Sequence, residues 1–586
     1  MEYMFKTETD YKISLQKEEE ENDIIKIKIS IDFEKKLVPQ PVVIRWTHPC
    51  KNVFSQWNPQ LWSVRTLNPN WMPIKNGSRS AEGTPVQMHL SRDGINVITV
   101  SVSDPLTPME IATGIIEETA EISYKLTLFT KLVSPMDKYE TVLTIDTREL
   151  PYEKVLSDTS RLWYGDAYVP EAAKEPMYST WYSYHQNLDR HELIAELKSA
   201  KQLGMETVIV DDGWQTRDGQ RGYAHCGDWE PERLSDMKGF VSDVHEVGMK
   251  CMLWFGVPFV GKYSKSWERF CGKFLNAYDE NHPWCVLDPR YPNVREYLIN
   301  IYEKAVREWD LDGLKLDFIN NMQLTEASSA PNKDMDYVSL EEAICALLAE
   351  IKQRLTAVKS DILIEFRQPY TGPVMRRYGN MLRVADCPQD AVKNRAGIVD
   401  LRLLAGNTAV HSDMLMWNYG DTPESAALQI INVIFSVPQI SVLTEKLSEE
   451  HRKMLEFYLR FWKENRECLI DGKLSAENPE SGYSLITSET ENKIIASSYI
   501  KNIMNIKKAY SEIVFINGSW DDELFINNKY DDMNSEYAVY TCTGEIKERK
   551  DIILKKGMNV FNVPKSGLVK ICAWCESERR FNGIEK

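Results

Sequence analysis

From the N-terminus to about residue 160, apolar and polar residues alternate at period two in short bursts. Examples are Ile24-Ile25-Lys26-Ile27-Lys28-Ile29, Val97-Ile98-Thr99-Val100-Ser101-Val102 and Tyr124-Lys125-Leu126-Thr127-Leu128-Phe129. Such alternation puts every second side chain on one face of a strand, and the Gly, Pro, Asn and Asp between bursts supply turns. An antiparallel β-sandwich over residues 1–165 is predicted. Beyond about 170 the pattern changes to short apolar runs separated by amphipathic stretches, the form taken by β/α units around a parallel sheet. Eight such runs are found, at 177–181, 207–211, 251–255, 313–317, 362–366, 381–386, 409–413 and 439–442, with helices expected at 190–203, 294–309 and 340–357. Eight units predict an α/β chain built on a (β/α)8 TIM barrel over 170–468, closed by a helix from about Ser448 to Glu467. Strand-like segments around 482–486 and 511–515 then predict a smaller C-terminal β-domain over 469–586.

Polar residues gather where this fold places chemistry, at the C-terminal ends of the strands. Six of the eight runs end in or near Trp181, Asp211 with Asp212, Trp254, Lys315 with Asp317, Glu365 with Arg367, and Arg383 with Asp386. Lys315 and Asp317 share one face of a strand, and a carboxylate beside an ammonium stays ionised, which suits a nucleophile. A lone Lys-x-Asp is more often a structural ion pair, so the weight rests on the ring as a whole. Asp317 and Asp386, on different strands, fit the nucleophile and acid/base of a retaining glycosidase. Asp390, Asp400 and Asp413 compete with Asp386 for its role. Adjacent carboxylates such as Asp211-Asp212 accept strong hydrogen bonds from sugar hydroxyls. They also suit a divalent cation, but barrel metal sites recruit His or further carboxylates, and the neighbours here are Trp and Lys. No metal and no cofactor is predicted.

Composition narrows the partners. The formal charge of −17 is spread along the chain, densest at Glu18-Glu19-Glu20-Glu21, and argues against nucleic acid. Sixteen Trp and 27 Tyr are ample for sugar-stacking surfaces. Trp57, Trp62 and Trp71 crowd a Pro- and Asn-rich stretch, read either as a loop reaching a neighbouring pocket or as a cap on its own core; Trp62 or Trp71 is expected near the barrel mouth. The first 32 residues lack the apolar core of a secretory signal, no run has transmembrane length, and eleven scattered cysteines fit a reducing compartment. A cytoplasmic location, no membrane contact and room for a homo-oligomer are expected. The close pair Cys572 and Cys575 is read as coincidence.

Several motifs in order then carry a family resemblance: Leu203-Gly204, Val210-Asp211-Asp212-Gly213-Trp214, Gly227-Asp228-Trp229, Gly248-Met249-Lys250 with Leu253-Trp254-Phe255, His282-Pro283-Trp284, Leu287-Asp288 and Lys315-Leu316-Asp317. Over roughly residues 176–320 their order and spacing resemble glycoside hydrolase family 36, the melibiase-type α-galactosidases, related to raffinose synthases. The likeness is weaker from 320 to 445 and holds only by domain type in the flanks. It implies Asp317 as nucleophile, Asp386 as acid/base, Asp211 and Asp212 on the galactose 4- and 6-hydroxyls, Trp181 and Trp254 as pocket walls, Lys315 beside the sugar and Arg383 near its 2-hydroxyl. Two departures stand out. Where the family usually carries a Cys-x-x-Gly-like segment, the fifth strand ends Ile364-Glu365-Phe366-Arg367-Gln368-Pro369, which places Glu365 and Arg367 at the side that reads C2. The Arg-rich segment before the fourth strand is also not evident, with Arg290 as a substitute. The resulting expectation is an exo-α-glycosidase acting on terminal α-galactose of oligosaccharides. Alternatives are an α-N-acetylgalactosaminidase, an α-galactosyl transferase and a sugar-binding protein on a degenerate barrel. The last is disfavoured because both carboxylates and the lysine are present.

Overall fold

The structure is a computed structural model that describes residues 3–60, 65–220 and 222–574. Eight parallel strands close into a barrel: Met177–Ser179, Thr207–Val210, Lys250–Gly256, Gly313–Asp317, Leu363–Arg367, Met381–Arg383, Ala409–Leu415 and Val437–Ile440. They pair in chain order, and the eighth returns to the first through Met177 and Gln439. All eight expected runs contain a strand; the last begins two residues earlier than read, and the first and sixth stop at Ser179 and Arg383, so Trp181 and Asp386 fall in the segments that follow. The expected helices lie at Arg190–Gln202, Pro292–Trp309 and Leu340–Val358. Each has a local cause for its start: Asp189 accepts from the His191 and Glu192 amides, Pro292 opens the second helix, and Ser339 accepts from the Glu342 amide.

Parity along the strands decides what the barrel does. Outward residues such as Val208, Leu253, Phe255, Leu314, Leu316, Ile364 and Phe366 join the core under the helices. Inward residues at the N-terminal end form a separate apolar plug of Met177, Ile209, Met252, Leu363, Met381 and Ala409. One inward step higher the side chains turn polar, at Lys315, Glu365, Arg383, His411 and Gln439, all buried. At the top lie Asp211, Asp317, Arg367 and Asp413. A dry plug beneath a polar floor is how a packed barrel presents chemistry at one end only.

Two antiparallel sheets of five and six strands precede the barrel and share one core, including Ile29, Ile44, Trp46, Val100, Ile111 and Leu126. After the helix Glu449–Arg466 come a seven-stranded and a three-stranded sheet. The largest core cluster runs without a break from Trp57 and Met88 of the sandwich, through the barrel, to Ile495 and Val514 beyond it. The aromatic stretch does reach its neighbour, but behind the barrel. The Trp57 indole N–H lies 3.0 Å from Asp400 Oδ1 and 2.9 Å from the Tyr483 hydroxyl. Arg65 Nη2 donates to both Asp400 oxygens at 2.7 Å, and all four groups are fully enclosed. Trp71 is 70% exposed, while Trp62 and Cys575 lie outside the described residues. No helix of the described residues is long and apolar enough to cross a membrane.

Candidate active site

The fourth barrel strand delivers Asp317 to the centre of the mouth. The Trp254 indole N–H, from the third strand, donates to its Oδ2 at 2.8 Å. Its Oδ1 accepts from Arg367 Nε at 3.0 Å, from the Phe318 amide at 2.8 Å and from the Tyr370 hydroxyl. Phe318 reaches this geometry in the left-handed region, at φ 64°, an uncommon conformation for a bulky residue. Burial pushes the Asp317 carboxyl up, but the Arg367 and Lys315 charges and the hydrogen bonds from Tyr370 and Trp254 bring it below its ordinary value. It is therefore an ionised carboxylate at neutral pH.

Lys315 corrects one expectation. Its ammonium does not bond Asp317; it lies 2.6 Å from Asp211 Oδ2, and both are almost fully buried. The cation gripping Asp317 is Arg367. Asp211 Oδ1 accepts from the Asp212 amide at 2.9 Å. The Asp212 carboxylate is held by two amides, Gln186 on Oδ2 at 2.7 Å and Gln215 on Oδ1 at 2.6 Å. Gly213 makes this possible, since at φ +117° a Cβ there would stand 2.6 Å from the Gln186 backbone. Burial pushes the Asp212 carboxyl up to about 6 against the Gln215 hydrogen bond, with the neighbouring Asp211 charge adding to the rise.

Around Arg383, at the end of the sixth strand, three carboxylates converge. Its Nη2 donates to Asp386 Oδ1 at 2.9 Å, its Nη1 to Asp413, and its Nε faces Glu365 Oε1 at 3.6 Å. Asp386 is the exposed member, with 43% of its side chain accessible; Asp413 and Glu365 have none. Burial raises Asp386, but Arg383, Arg367 and Lys315 hold it well below the usual carboxylate range. Asp413 also accepts from the Tyr182 hydroxyl at 2.9 Å and the Cys387 amide at 2.6 Å, so it is spent on structure. Asp390 caps the helix Ala391–Leu404 through the Lys393 amide, and Asp400 belongs to the junction with Arg65. Of the acidic residues from 386 to 413, Asp386 alone combines the mouth with access.

Glu365, expected as a sugar contact, lies lower. Its Oε2 accepts from Gln439 Nε2 at 2.6 Å and its exposure is 0%. Inward parity puts it one step beneath Arg367, so only the arginine reaches the top. Phe366 faces outward against Gly379 and Tyr370. Trp181 begins the short helix after the first strand and is half-buried. Above Asp317, Tyr223, Phe259, Trp284 and Phe318 form an aromatic wall in which Tyr223 and Phe259 stack at 4.5 Å. Arg290 is bound to Asp288 at 2.7 Å and to the Ser328 carbonyl at 2.6 Å, a buried pair that does not touch the ring residues.

Sequence reading missed Gln186, Gln215, Tyr223 and Tyr370, and weighed Asp413 only as a rival of Asp386. Gln215 and Tyr370 directly follow segments already singled out; Gln186 carried no signal. A cavity of about 1200 Å³ at the opposite end of the barrel, lined by Arg402, Asn407, Asp471 and Lys508, involves none of these groups. Among the described residues no group of three or more His, Cys, Asp or Glu side chains is placed to hold a metal ion.

Residues 170–373 match the melibiase family. Curated relatives include alpha-galactosidase 2 of Pediococcus pentosaceus, 25% identical over 195 residues, or 32% of this chain and 27% of that protein. Alpha-galactosidase AgaA of Geobacillus stearothermophilus is 24% identical over 160 residues, 26% of this chain and 21% of its own. The sequence matches thus span about a quarter of each relative's length. Among solved structures, a glycoside hydrolase family 36 AgaA variant from Geobacillus stearothermophilus in complex with raffinose superposes with TM-score 0.64 at 14% identity, covering 96% of this chain and 81% of that one. The α-galactosidase of Lactobacillus brevis gives 0.65 at 14% identity, covering 98% and 85%. At such identity the structures speak for the shared fold.

Proposed function

Residues 170–373 belong to the melibiase family, and from that premise we propose that this protein is a retaining exo-α-glycosidase that hydrolyses terminal α-galactosides of oligosaccharides. The observation that carries the reading is Asp317, an ionised carboxylate fixed by four donors in the middle of a polar barrel mouth, with the accessible Asp386 just beyond the sixth strand. Asp317 attacks the anomeric carbon while Asp386 protonates the leaving oxygen; Asp386 then takes a proton from the water that releases the sugar. To donate a proton Asp386 must leave Arg383, whose charge remains balanced by Asp413 and Glu365. Asp211 and Asp212 accept sugar hydroxyls with lone pairs that Lys315, Gln186 and Gln215 leave over, while Trp254 and Trp181 wall the pocket. Glu365 serves by holding Arg383.

Plain α-galactose is favoured over its N-acetyl counterpart by the fifth strand. Arg367 and Tyr370 occupy the side assigned to C2, and Phe366, the apolar side chain of that strand's end, turns away from the mouth. The strand itself offers an acetyl methyl no apolar wall. Comparing kcat/KM for p-nitrophenyl α-galactoside, α-N-acetylgalactosaminide and α-glucoside tests this directly, with the galactoside expected first. Preference for the N-acetyl sugar would overturn the substrate while leaving the two carboxylates in place.

Two further results are expected. Asp386→Ala should lower kcat/KM for sugar leaving groups by about 10²–10⁴-fold but spare kcat/KM for activated aryl leaving groups that need no proton, and azide, which needs no base, should speed release of the sugar and yield an α-configured product. Equal losses on both substrates would remove Asp386 as acid. Because the Asp212 carboxyl stands near 6 and must be ionised to accept hydroxyls, kcat/KM should fall as pH drops through about 6. The kcat profile, which reports the sugar-bound state, should lack that limb.

A further inference from the structure

The four donors on Asp317 are not shared evenly between its oxygens, and the donors themselves are held from outside the barrel. Oδ1 takes Arg367, Tyr370 and the Phe318 amide, whereas Oδ2 takes only the Trp254 indole. A carboxylate oxygen has two in-plane lone pairs, so Oδ1 is saturated and Oδ2 keeps one free. Arg367 ends the fifth strand and Tyr370 lies on the segment after it, while Phe318 starts the segment after the fourth. Both segments are bound by one turn of the N-terminal sandwich. Arg79 Nη1 donates to the Met322 carbonyl at 3.1 Å, and its Nη2 donates to the Asn320 carbonyl. The Gly83 amide donates to the Pro369 carbonyl at 3.1 Å. The approach is close enough that a Cβ on Gly372 would stand 2.1 Å from the Gly83 carbonyl oxygen, and Gly83 itself, at φ +68°, has Gly77 O at 2.3 Å from any Cβ. Arg79 is 5% exposed, and its remaining bond is to Glu82 of its own turn at 3.2 Å.

We propose that Arg367 and Tyr370, braced by the sandwich turn from Arg79 to Gly83, are positioning residues that lock the Asp317 carboxylate by Oδ1 and leave Oδ2 as the attacking oxygen. The proposal rests on the reading of Asp317 as nucleophile and adds the device that aims it. A carboxylate on a two-bond side chain rotates freely about its last bond unless both oxygens are engaged, and misdirection by a small angle costs heavily in a displacement reaction. The sandwich then becomes part of the catalytic apparatus, because its turn binds the segments that carry Tyr370 and Phe318. The segment that departs from the family pattern is the same one that supplies the grip.

Tyr370→Phe keeps the ring in its buried site and deletes only the hydroxyl. It should lower kcat about ten- to hundredfold with KM changed little, as expected for losing a hydrogen bond to a charged group that acts in the transition state. Asp317 faces Lys315 on its own strand, Arg367 at the end of the fifth and Tyr370 just after it, and Asp212 and Tyr223 after the second. Removing Tyr370 or Arg367 takes away a partner that favours the carboxylate. The acid limb of kcat should therefore move to higher pH in Tyr370→Phe and Arg367→Gln, and back toward wild type in Arg367→Lys. Arg79→Gln should reproduce the kcat loss from a residue that touches neither Asp317 nor the sugar, with Arg79→Lys less impaired. A role in folding alone would lower the melting temperature and leave the kcat limb in place. Crystal structures of Tyr370→Phe and Arg367→Gln, with Asp317 expected to rotate, give a readout independent of substrate. Wild-type kcat, an unmoved limb and an unmoved Asp317 in both variants overturn the positioning role. A wild-type protein that turns over no α-glycoside, with Asp317 still displaced in Tyr370→Phe, overturns the glycosidase reading instead.

Discussion

Asp317→Ala should lose turnover of aryl α-galactosides by about 10⁴-fold or more while melting close to wild type, because the residue forms the bond that splits the reaction into two steps. In its place a cavity opens beside Arg367 and Tyr370, two donors that suit a small anion. Added azide should therefore restore turnover and yield a β-configured galactosyl azide, one inversion rather than two. The opposite stereochemistry from Asp386→Ala makes the pair diagnostic: each carboxylate is identified by the configuration of its rescued product, read by proton NMR. Near-wild-type activity in Asp317→Ala would take this residue out of the mechanism. An α-configured product would exchange the two roles.

The second large effect is on stability and lies far from the mouth. Asp400→Asn should destabilise the protein by about 3–5 kcal/mol, measured by chemical denaturation, because it strands the Arg65 guanidinium in a site with no exposure and no other carboxylate. The cost falls on the meeting point of all three parts of the chain, since Trp57 and Arg65 come from the sandwich, Asp400 from the barrel helix Ala391–Leu404, and Tyr483 from the connection between strands Lys473–Glu477 and Leu485–Glu489 of the seven-stranded sheet. Arg65→Met probes the other side of the pair, with a sign set by burial. Burial already raises the Asp400 carboxyl, against the pull of Arg65 and of the Tyr483 hydrogen bond. Without Arg65 it rises further above its unfolded value, so the folded variant binds a proton more tightly than the unfolded chain. Its stability is then best below about pH 4 and is lost as pH rises through the folded value. The deficit of Arg65→Met should grow between pH 4 and 7, whereas that of Asp400→Asn should shrink, because wild type loses the contribution of its raised Asp400 carboxyl over that range and asparagine has no proton to lose. Parallel pH dependence in the two variants would show that the pair is not the source of the effect.

The barrel was legible because a strand buried on both faces leaves a short apolar run, and the helices between leave caps such as Asp189, Pro292 and Ser339 in fixed places. The ring of polar residues was legible for a related reason. The apolar run must stop where the strand enters the mouth, so Asp211 and Asp317 mark strand ends, and Asp386 follows the sixth strand by three residues. Parity went further and separated Phe366 from Arg367. Local pattern also determined the acidic character of the chain and the sandwich-like alternation of its first part. These are properties of consecutive residues, and neighbouring positions suffice to express them.

What only tertiary structure decided is which charges meet. Lys315 and Asp317 are two residues apart and were the natural pair, yet Lys315 turns to Asp211 on the second strand and Arg367 on the fifth takes Asp317. Glu365 and Arg367 stand on the same strand face, but one inward step, about two residues of rise, separates a floor residue holding Arg383 from a residue at the mouth. Asp386 was preferred over Asp390, Asp400 and Asp413 only by its place after the sixth run; a guanidinium, a helix cap and a buried junction sorted the four by what each already bonds. Arg79, nearly 240 residues before the carboxylate it steadies, left no local trace at all. Coulombic and hydrogen-bonding partners are chosen by distance in space after the barrel closes and the sandwich docks, and no periodicity along the chain encodes that distance.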